Sequence, residues 1–372
     1  MTYVGQSVRR FEDHRLLTGQ GSYVDDMKLP GLLNAVVLRS LHAHANIRSI
    51  DVSAANRVPG VVAVFTAADI QDLAVEIPTR TNTGADEFNP TRHPLLASDK
   101  VCYVGQAVAV LIAEDIYTAA DALDQIVVDY EILPALTDPY EALEPGAMIR
   151  HPDQVSNVSL RTVNGGGDLD GAFAQADHVV RQTYQVQRLA PAPMEPRGLI
   201  ADYDSQADLL TVWDSTQHPH EVREHLVHLL GRTEESIRVI APDVGGGFGE
   251  KASLFPEEVV IPYLSILLGR PIKWTENRQA NMTAFHGRGH SVETEAAVKS
   301  DGTLLGSRVD IVADLGPPHE VGLPGGVVFV KRPVDDGVGA REHSLHRFRC
   351  QALGVFPPLN GYRLASAHGP CG

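Results

Sequence analysis

The stretch best suited to holding a ligand packs four glycines around one aromatic residue: Asp243-Val244-Gly245-Gly246-Gly247-Phe248-Gly249-Glu250-Lys251. Glycine tolerates positive φ and lets a bound group approach the backbone closely, and successive N–H groups freed in such turns can cradle anionic oxygens. A helix starting just beyond would add its positive end. The letters exclude two familiar phosphate binders. A P-loop needs glycine directly before its lysine and Ser or Thr directly after it, whereas Glu250 precedes Lys251 and Ala252 follows. A dinucleotide fingerprint needs G-x-G-x-x-G, a spacing that Gly245, Gly247 and Gly249 do not supply. The plain alternative is a tight strand-to-helix turn with no ligand, because conformational need alone can explain glycine.

Two further segments carry groups that could converge on this loop. In Ser215-Thr216-Gln217-His218-Pro219-His220, the Gln217 carboxamide offers both a donor and an acceptor and could read the edge of a heterocycle; an ordinary helix cap is the competing reading. His218 and His220 sit two apart, a spacing that a strand would project to one side, but without further ligands they do not make a metal site. In Pro191-Ala192-Pro193-Met194-Glu195-Pro196-Arg197, the prolines predict an extended course that presents Glu195 as an acid, base or positioning group, while a surface salt bridge to Arg197 is the blander expectation.

These groups have to be positioned by regular elements, and the periodicities supply them. Residues 32–38, 61–65 and 101–112 read as Val- and Leu-rich strands, and 114–127 as a helix with Ile116, Ala119, Ala120, Leu123, Ile126 and Val127 at helical spacing. Residues 78–98 read as a long irregular loop, and 145–168, with Gly165-Gly166-Gly167, as a punctuated boundary between two units. Asp168 is expected to cap a helix whose face carries Leu169, Ala172, Phe173 and Ala176. Strands at TYQVQ and LLTVWD follow, then a helix over 221–230 stopped by Gly231, and then the strand SIRVIAP that feeds the glycine loop. Ser253 is expected to cap the next helix, with Phe255, Val259 and Leu267 on its buried face and Gly269 at its end. The order strand, glycine loop, helix places the loop at the end of a sheet.

Composition bounds the rest. A chain of 372 residues predicts about two to three domains, and 43% hydrophobic with 21% charged residues is that of a globular protein. A net charge of −16 argues against nucleic acid as a partner. Cys102, Cys350 and Cys371 have no spacing for a metal knuckle or a disulfide framework, and no apolar run of signal-peptide or membrane-spanning length is present. A cytoplasmic protein is the expectation. From Pro317 onward the chain changes character, with six Lys or Arg against four Asp or Glu and fading periodicity.

Seven segments in order carry a resemblance: RRFEDHRLLTGQGSYVDD, LRSLHAHANIRSID, HPLLASDKVCYVGQAVAVLIAE, LAPAPMEPRG, DSTQHPHEVRE, RVIAPDVGGGFGEK and GRPIKWTENR. Together they resemble the molybdopterin-binding large subunit of the xanthine dehydrogenase, aldehyde oxidase and aerobic carbon monoxide dehydrogenase family, from about residue 4 to about residue 316. The resemblance implies an α+β chain: an a/b hammerhead domain over 1–145, an incomplete first molybdopterin-binding domain over 146–316, and an irregular non-family tail over 317–372, read as out-of-frame translation. It implies oxidative hydroxylation of an aldehyde or N-heterocycle, or oxidation of carbon monoxide, at a molybdenum–molybdopterin centre in its plain or cytosine-dinucleotide form. The alternative is a non-catalytic remnant or subunit-binding module.

By motif match, Gln217, Gly246, Gly247, Phe248 and Gly249 would bind the cofactor, Phe248 and Glu195 would line the substrate pocket, and no protein side chain would ligate the metal directly. Ala252 stands where some relatives have a purine-positioning glutamate, so xanthine is a poor candidate. The family's general-base glutamate has no counterpart in this chain. Iron–sulfur clusters and FAD would sit on a small and a medium partner subunit, in a dimer of heterotrimers.

Overall fold

In this computed structural model, residues 3–73, 77, 87–89, 93–149, 155–161, 165–284 and 287–314 are described. Most of the 78–98 loop and all of the 317–372 tail lie outside them. The N-terminal part runs α1 (Asp13–Leu17), β1 (Leu33–Arg39), β2 (Ala45–Asp51), β3 (Val61–Thr66), β4 (Glu87–Phe88), β5 (Lys100–Val101), β6 (Ala107–Ala113), α2 (Ile116–Leu123) and β7 (Val127–Ile132). The remainder runs β8 (Leu160–Arg161), α3 (Leu169–Ala174), β9 (His178–Leu189), β10 (Gly198–Asp204), β11 (Leu209–Asp214), α4 (Pro219–Leu229), β12 (Ile237–Ile240), α5 (Glu257–Leu268), β13 (Ile272–Thr275), α6 (Arg278–Ala284), β14 (Gly287–Val298) and β15 (Leu304–Ala313). The α+β class holds, with helices and strands mixed through both the N-terminal part and the remainder.

A seven-stranded mixed sheet in the order β12-β11-β10-β13-β1-β6-β3 joins the two parts. Its seam is the parallel pairing of β1 with β13, Leu33 opposite Ile272 and Ala35 opposite Trp274. Strand β6 is buried along its whole length because it lies between β1 and β3 with both faces covered, which is why it reads as an unbroken apolar run. Val110 and Ile112 face the main core, which α5 fills; Leu111 and Ala113 face α2, which packs Ala119 and Ala122 against them.

Several helices are shorter than their periodicity suggests. Asp115 caps α2 by accepting from Tyr117 and Thr118 N–H, and the helix stops at Leu123, so Val127 belongs to β7 instead. Asp168 caps α3 as expected, but that helix stops at Ala174, leaving Ala176 outside it and His178 already in β9. Gly231 and Gly269 follow α4 and α5 with φ near 60°, as the sequence predicts. At the start of α5 the expectation fails: the residue capping it is Pro256, not Ser253, because Glu250–Ala252 first forms a turn of 3-10 helix. Leu267 is 52% exposed rather than buried, whereas Phe255 and Val259 do enter the core.

Candidate functional site

Strands β11 and β12 run parallel, and the segments leaving their C-terminal ends meet the segment entering β10 at one end of the sheet. This is the edge of an α/β unit at which ligand crevices form. The segment after β11 carries Ser215 to Gln217, that after β12 carries the glycine loop, and that before β10 carries Glu195. Five residues singled out in the sequence for cofactor binding, together with Glu195, are therefore brought together.

The loop is a strained hoop. Gly246, Phe248 and Gly249 all have positive φ, 102°, 53° and 92°, an arrangement that only the glycines adopt without cost. Gly247 is needed for a different reason: a Cβ there would lie 2.3 Å from Gln217 Oε1. Gly249 N–H donates to Gln217 Oε1 at 3.0 Å, and Gln217 N–H donates to the Lys251 carbonyl at 2.7 Å. Gln217 is therefore no helix cap; His218 holds that position and His220 lies in the first turn of α4, so the two do not share the face of a strand.

The Gln217 carboxamide oxygen is occupied, and no described residue accepts from the Gln217 Nε2 or from the backbone N–H groups of Gly246, Gly247 or Phe248. Phe248 is 74% exposed at the hoop's tip. The arrangement is an open wall of backbone and carboxamide donors, suited to the oxygen and sulfur atoms of an anionic group. Among the described residues, no group of three His, Cys, Asp or Glu side chains is placed to hold a metal ion.

Glu195 lies below the hoop. Its Oε2 accepts from Ser215 Oγ at 2.6 Å, from Gly245 N–H at 2.8 Å and from Lys251 Nζ at 2.8 Å. The expected Glu195–Arg197 salt bridge does not form, because the chain bends at Met194 and Glu195 instead of running straight through the prolines. Arg197 turns into the core and pairs with Glu276, with Glu257 at 3.4 Å and with Glu250 at 3.9 Å, its guanidinium stacked 3.8 Å from the Phe255 ring. Arg39 of β1 reaches Glu257 and, at 3.7 Å, Glu276, and Asn281 of α6 donates to Glu250 and, at 3.0 Å, to Glu276.

The titration of this cluster follows from its burial. Desolvation pushes the Glu250 carboxyl up to about 7, despite the nearby Arg197. Burial also opposes charge on Glu257, but Arg39 and Arg197 outweigh it and hold that carboxyl at about 2. Asp214 and Glu258 face each other with both side chains buried, and desolvation raises both. Outside the core, Arg15 and the Ser22 N–H bind Asp243, at the foot of the hoop, and hold it at about 2.

Sequence reasoning missed Ser215, Arg39, Glu276 and Asn281 as members of the site's support. The adjacent acids Glu257-Glu258 ahead of an otherwise apolar helix were the one available signal, since buried acids require partners. A separate groove of about 500 Å³, between residues 137–140 and strands β9 and β14, contains none of the predicted site residues.

A molybdopterin cofactor-binding domain matches residues 150–328, and an aldehyde oxidase and xanthine dehydrogenase a/b hammerhead domain matches residues 18–134. The first match continues beyond residue 316, where the likeness read from the sequence ended. The chain is 41% identical over 317 residues to the nicotine 6-hydroxylase large subunit of Paenarthrobacter nicotinovorans, covering 85% of this chain and 38% of that one. It is 38% identical over 328 residues to the carbon monoxide dehydrogenase large chain of Afipia carboxidovorans, covering 84% and 40%. Quinoline 2-oxidoreductase from Pseudomonas putida 86 superposes with a TM-score of 0.79 at 39% identity, covering 84% of this chain and 40% of that structure. The chain spans about two fifths of the length of these relatives. Among the described residues, no helix is long and apolar enough to cross a membrane.

Proposed function

The chain belongs to the xanthine dehydrogenase, aldehyde oxidase and carbon monoxide dehydrogenase family, and on that premise we propose that it forms one wall of a molybdenum–pterin site in an oxidoreductase large subunit. The observation that carries this reading is the row of uncommitted donors, Gly246, Gly247 and Phe248 N–H with Gln217 Nε2, on an open face of the domain matched as molybdopterin-binding. When bound, the molybdenum–pterin group supplies two-electron oxidation of the substrate, with oxygen drawn from water and electrons passed on to iron–sulfur clusters and FAD.

The chain's own residues bind and orient. Gln217, fixed by Gly249, aims its Nε2 donor at the bound group, and the N–H groups of Gly246, Gly247 and Phe248 provide further donors to it. Phe248 supplies an apolar wall for the substrate. Ala252 puts no carboxylate at that position beside the hoop to read a purine, and the relatives named for nicotine and quinoline support an N-heterocycle as substrate. The general base and the rest of the cofactor cage would come from the part of the relatives' length that this chain does not span, and the iron–sulfur and FAD groups from small and medium subunits in the cytoplasm. On this reading activity depends on those groups being supplied.

The test is to purify the chain with and without the neighbouring subunits. Molybdenum is measured by mass spectrometry, pterin by fluorescence after oxidative release, and dye reduction is assayed with pyridine and quinoline heterocycles and with aldehydes. Molybdenum and pterin are expected in the assembled complex, and heterocycle-dependent dye reduction only where the remaining length of the large subunit is supplied as well. A complex that assembles with neither metal nor pterin sinks the proposal.

A further inference from the structure

Both ends of the glycine hoop are tied to a single oxygen atom. Glu195 Oε2 receives Gly245 N–H at one end and Lys251 Nζ at the other, both at 2.8 Å, with Ser215 Oγ as the third donor at 2.6 Å. Lys251 Nζ also donates to Ser215 Oγ at 2.7 Å, and Glu195 N–H donates to the Gly245 carbonyl at 3.2 Å. Three chain segments, those before β10, after β11 and after β12, thus close on one carboxylate. Gln217 belongs to the same closure, since its N–H binds the Lys251 carbonyl and its side chain binds Gly249.

We propose that Glu195 is a positioning residue, the ionic clasp that sets the width of the hoop and hence the spacing between the Gln217 carboxamide and the free N–H groups of Gly246 to Phe248. This rests on the reading of the hoop as a cofactor wall, and it moves Glu195 away from the substrate-lining role suggested by its motif. Neither carboxylate oxygen is available to a substrate: Oε2 is taken by three donors, and Oε1 is buried without a hydrogen-bond partner among the described residues. The Lys251 side chain has 0% exposure, and its ammonium has Glu195 as its one ion-pair partner among the described residues. Neutralising Glu195 therefore takes from the buried Lys251 ammonium its one directly bonded counter-charge and leaves it only the more distant Asp214 and Glu250, which forces the hoop to open toward water. A tight turn needs only its glycines; the buried lysine and the shared acceptor add rigidity at the place where the protein's donors to a ligand must keep fixed spacing.

The experiment is hydrogen exchange by mass spectrometry on the full chain, following a peptide over 243–252 with a peptide over β6 as reference. E195Q is expected to speed exchange in the hoop by about tenfold or more while β6 stays protected. E195Q/K251Q, which removes both charges and keeps hydrogen-bonding groups, is expected to restore most of the protection. Should E195Q not fold, S215A removes one donor while keeping the ion pair, and hoop exchange is expected to rise by a few fold. Unchanged hoop exchange in a folded E195Q, or in S215A where E195Q does not fold, overturns the clasp, as does a double variant no better than the single one. Pterin content, measured in parallel in the assembled complex, separates the two ideas: its absence from the unsubstituted complex sinks the cofactor reading, while exchange still decides the clasp.

Discussion

The hoop and the core beneath it are built on opposite principles. In the hoop, Gly246, Gly247 and Phe248 leave their backbone donors uncommitted and Phe248 stands in solvent. Beneath it, Arg39, Arg197, Glu257, Glu276 and Asn281 are joined through buried charge-assisted contacts that tie β1 of the hammerhead part to α5 and α6. The hoop keeps donors unpaired so that a ligand can take them; the cluster pairs its charges because an unpaired charge in that place is very costly. Ligand binding and cohesion of the two parts are thus assigned to adjacent layers, so substitutions should separate them.

The largest effect is expected at Arg197. Removing its guanidinium in Arg197→Met leaves the buried Glu276 and Glu257 with only Arg39 as a cationic partner among the described residues. Breaking a buried ion pair from one side costs on the order of 3–5 kcal/mol. Urea unfolding of the chain should show a midpoint lowered accordingly, or no folded chain at all. A midpoint within experimental error of the unsubstituted chain would mean that the cluster does not hold the two parts together.

What the sequence disclosed follows the same division. The hoop was legible because its information is local: a run of glycines around Phe248 has few other uses, and Gln217 follows a strand whose alternation is plain. The capping of α2 by Asp115 and of α3 by Asp168 shows equally local logic, although only the second was anticipated. Arg39 and Glu257 lie far apart in sequence, and nothing in either neighbourhood announces that β1 will pair with β13 and bring them together. Glu195 and Arg197 make the point most sharply. Two residues apart, they invite a salt bridge, yet the bend at Met194–Glu195 sends one under the hoop and the other into the core. Spacing identified the residues, and tertiary structure chose their partners.

A smaller, pH-dependent effect sharpens the contrast from within the core. Glu250, raised to about 7, binds its proton more tightly in the folded than in the unfolded chain. Its contribution to stability is therefore complete below its ordinary value near 4.5 and is lost as pH rises through 7. Glu257, held at about 2, acts in the opposite sense: its contribution is present above about 4.5 and is lost as pH falls toward 2. The chain should melt at a higher temperature at pH 5 than at pH 8. Glu250→Gln should shrink that difference, by about 1–2 kcal/mol allowing for solvent screening. An equal pH dependence in E250Q would remove Glu250 from the account.

The smallest effect on stability should accompany the greatest loss of binding, at Gly247. A methyl group there collides with Gln217 Oε1, Cδ and Cγ, at 2.3, 2.5 and 2.7 Å, but these atoms belong to an exposed side chain that can swing aside as a whole. Gly247→Ala should therefore cost less than about 1 kcal/mol in unfolding, within the range of surface substitutions. In moving, Gln217 gives up its bond to Gly249 N–H and carries its Nε2 donor away from the wall. Pterin retained by the assembled complex should fall by roughly tenfold, as expected when a charge-assisted donor is misplaced by about 1 Å. A variant that melts normally and keeps its pterin would show that Gln217 is dispensable to the wall. One that loses both would show that the hoop and the core form a single cooperative layer.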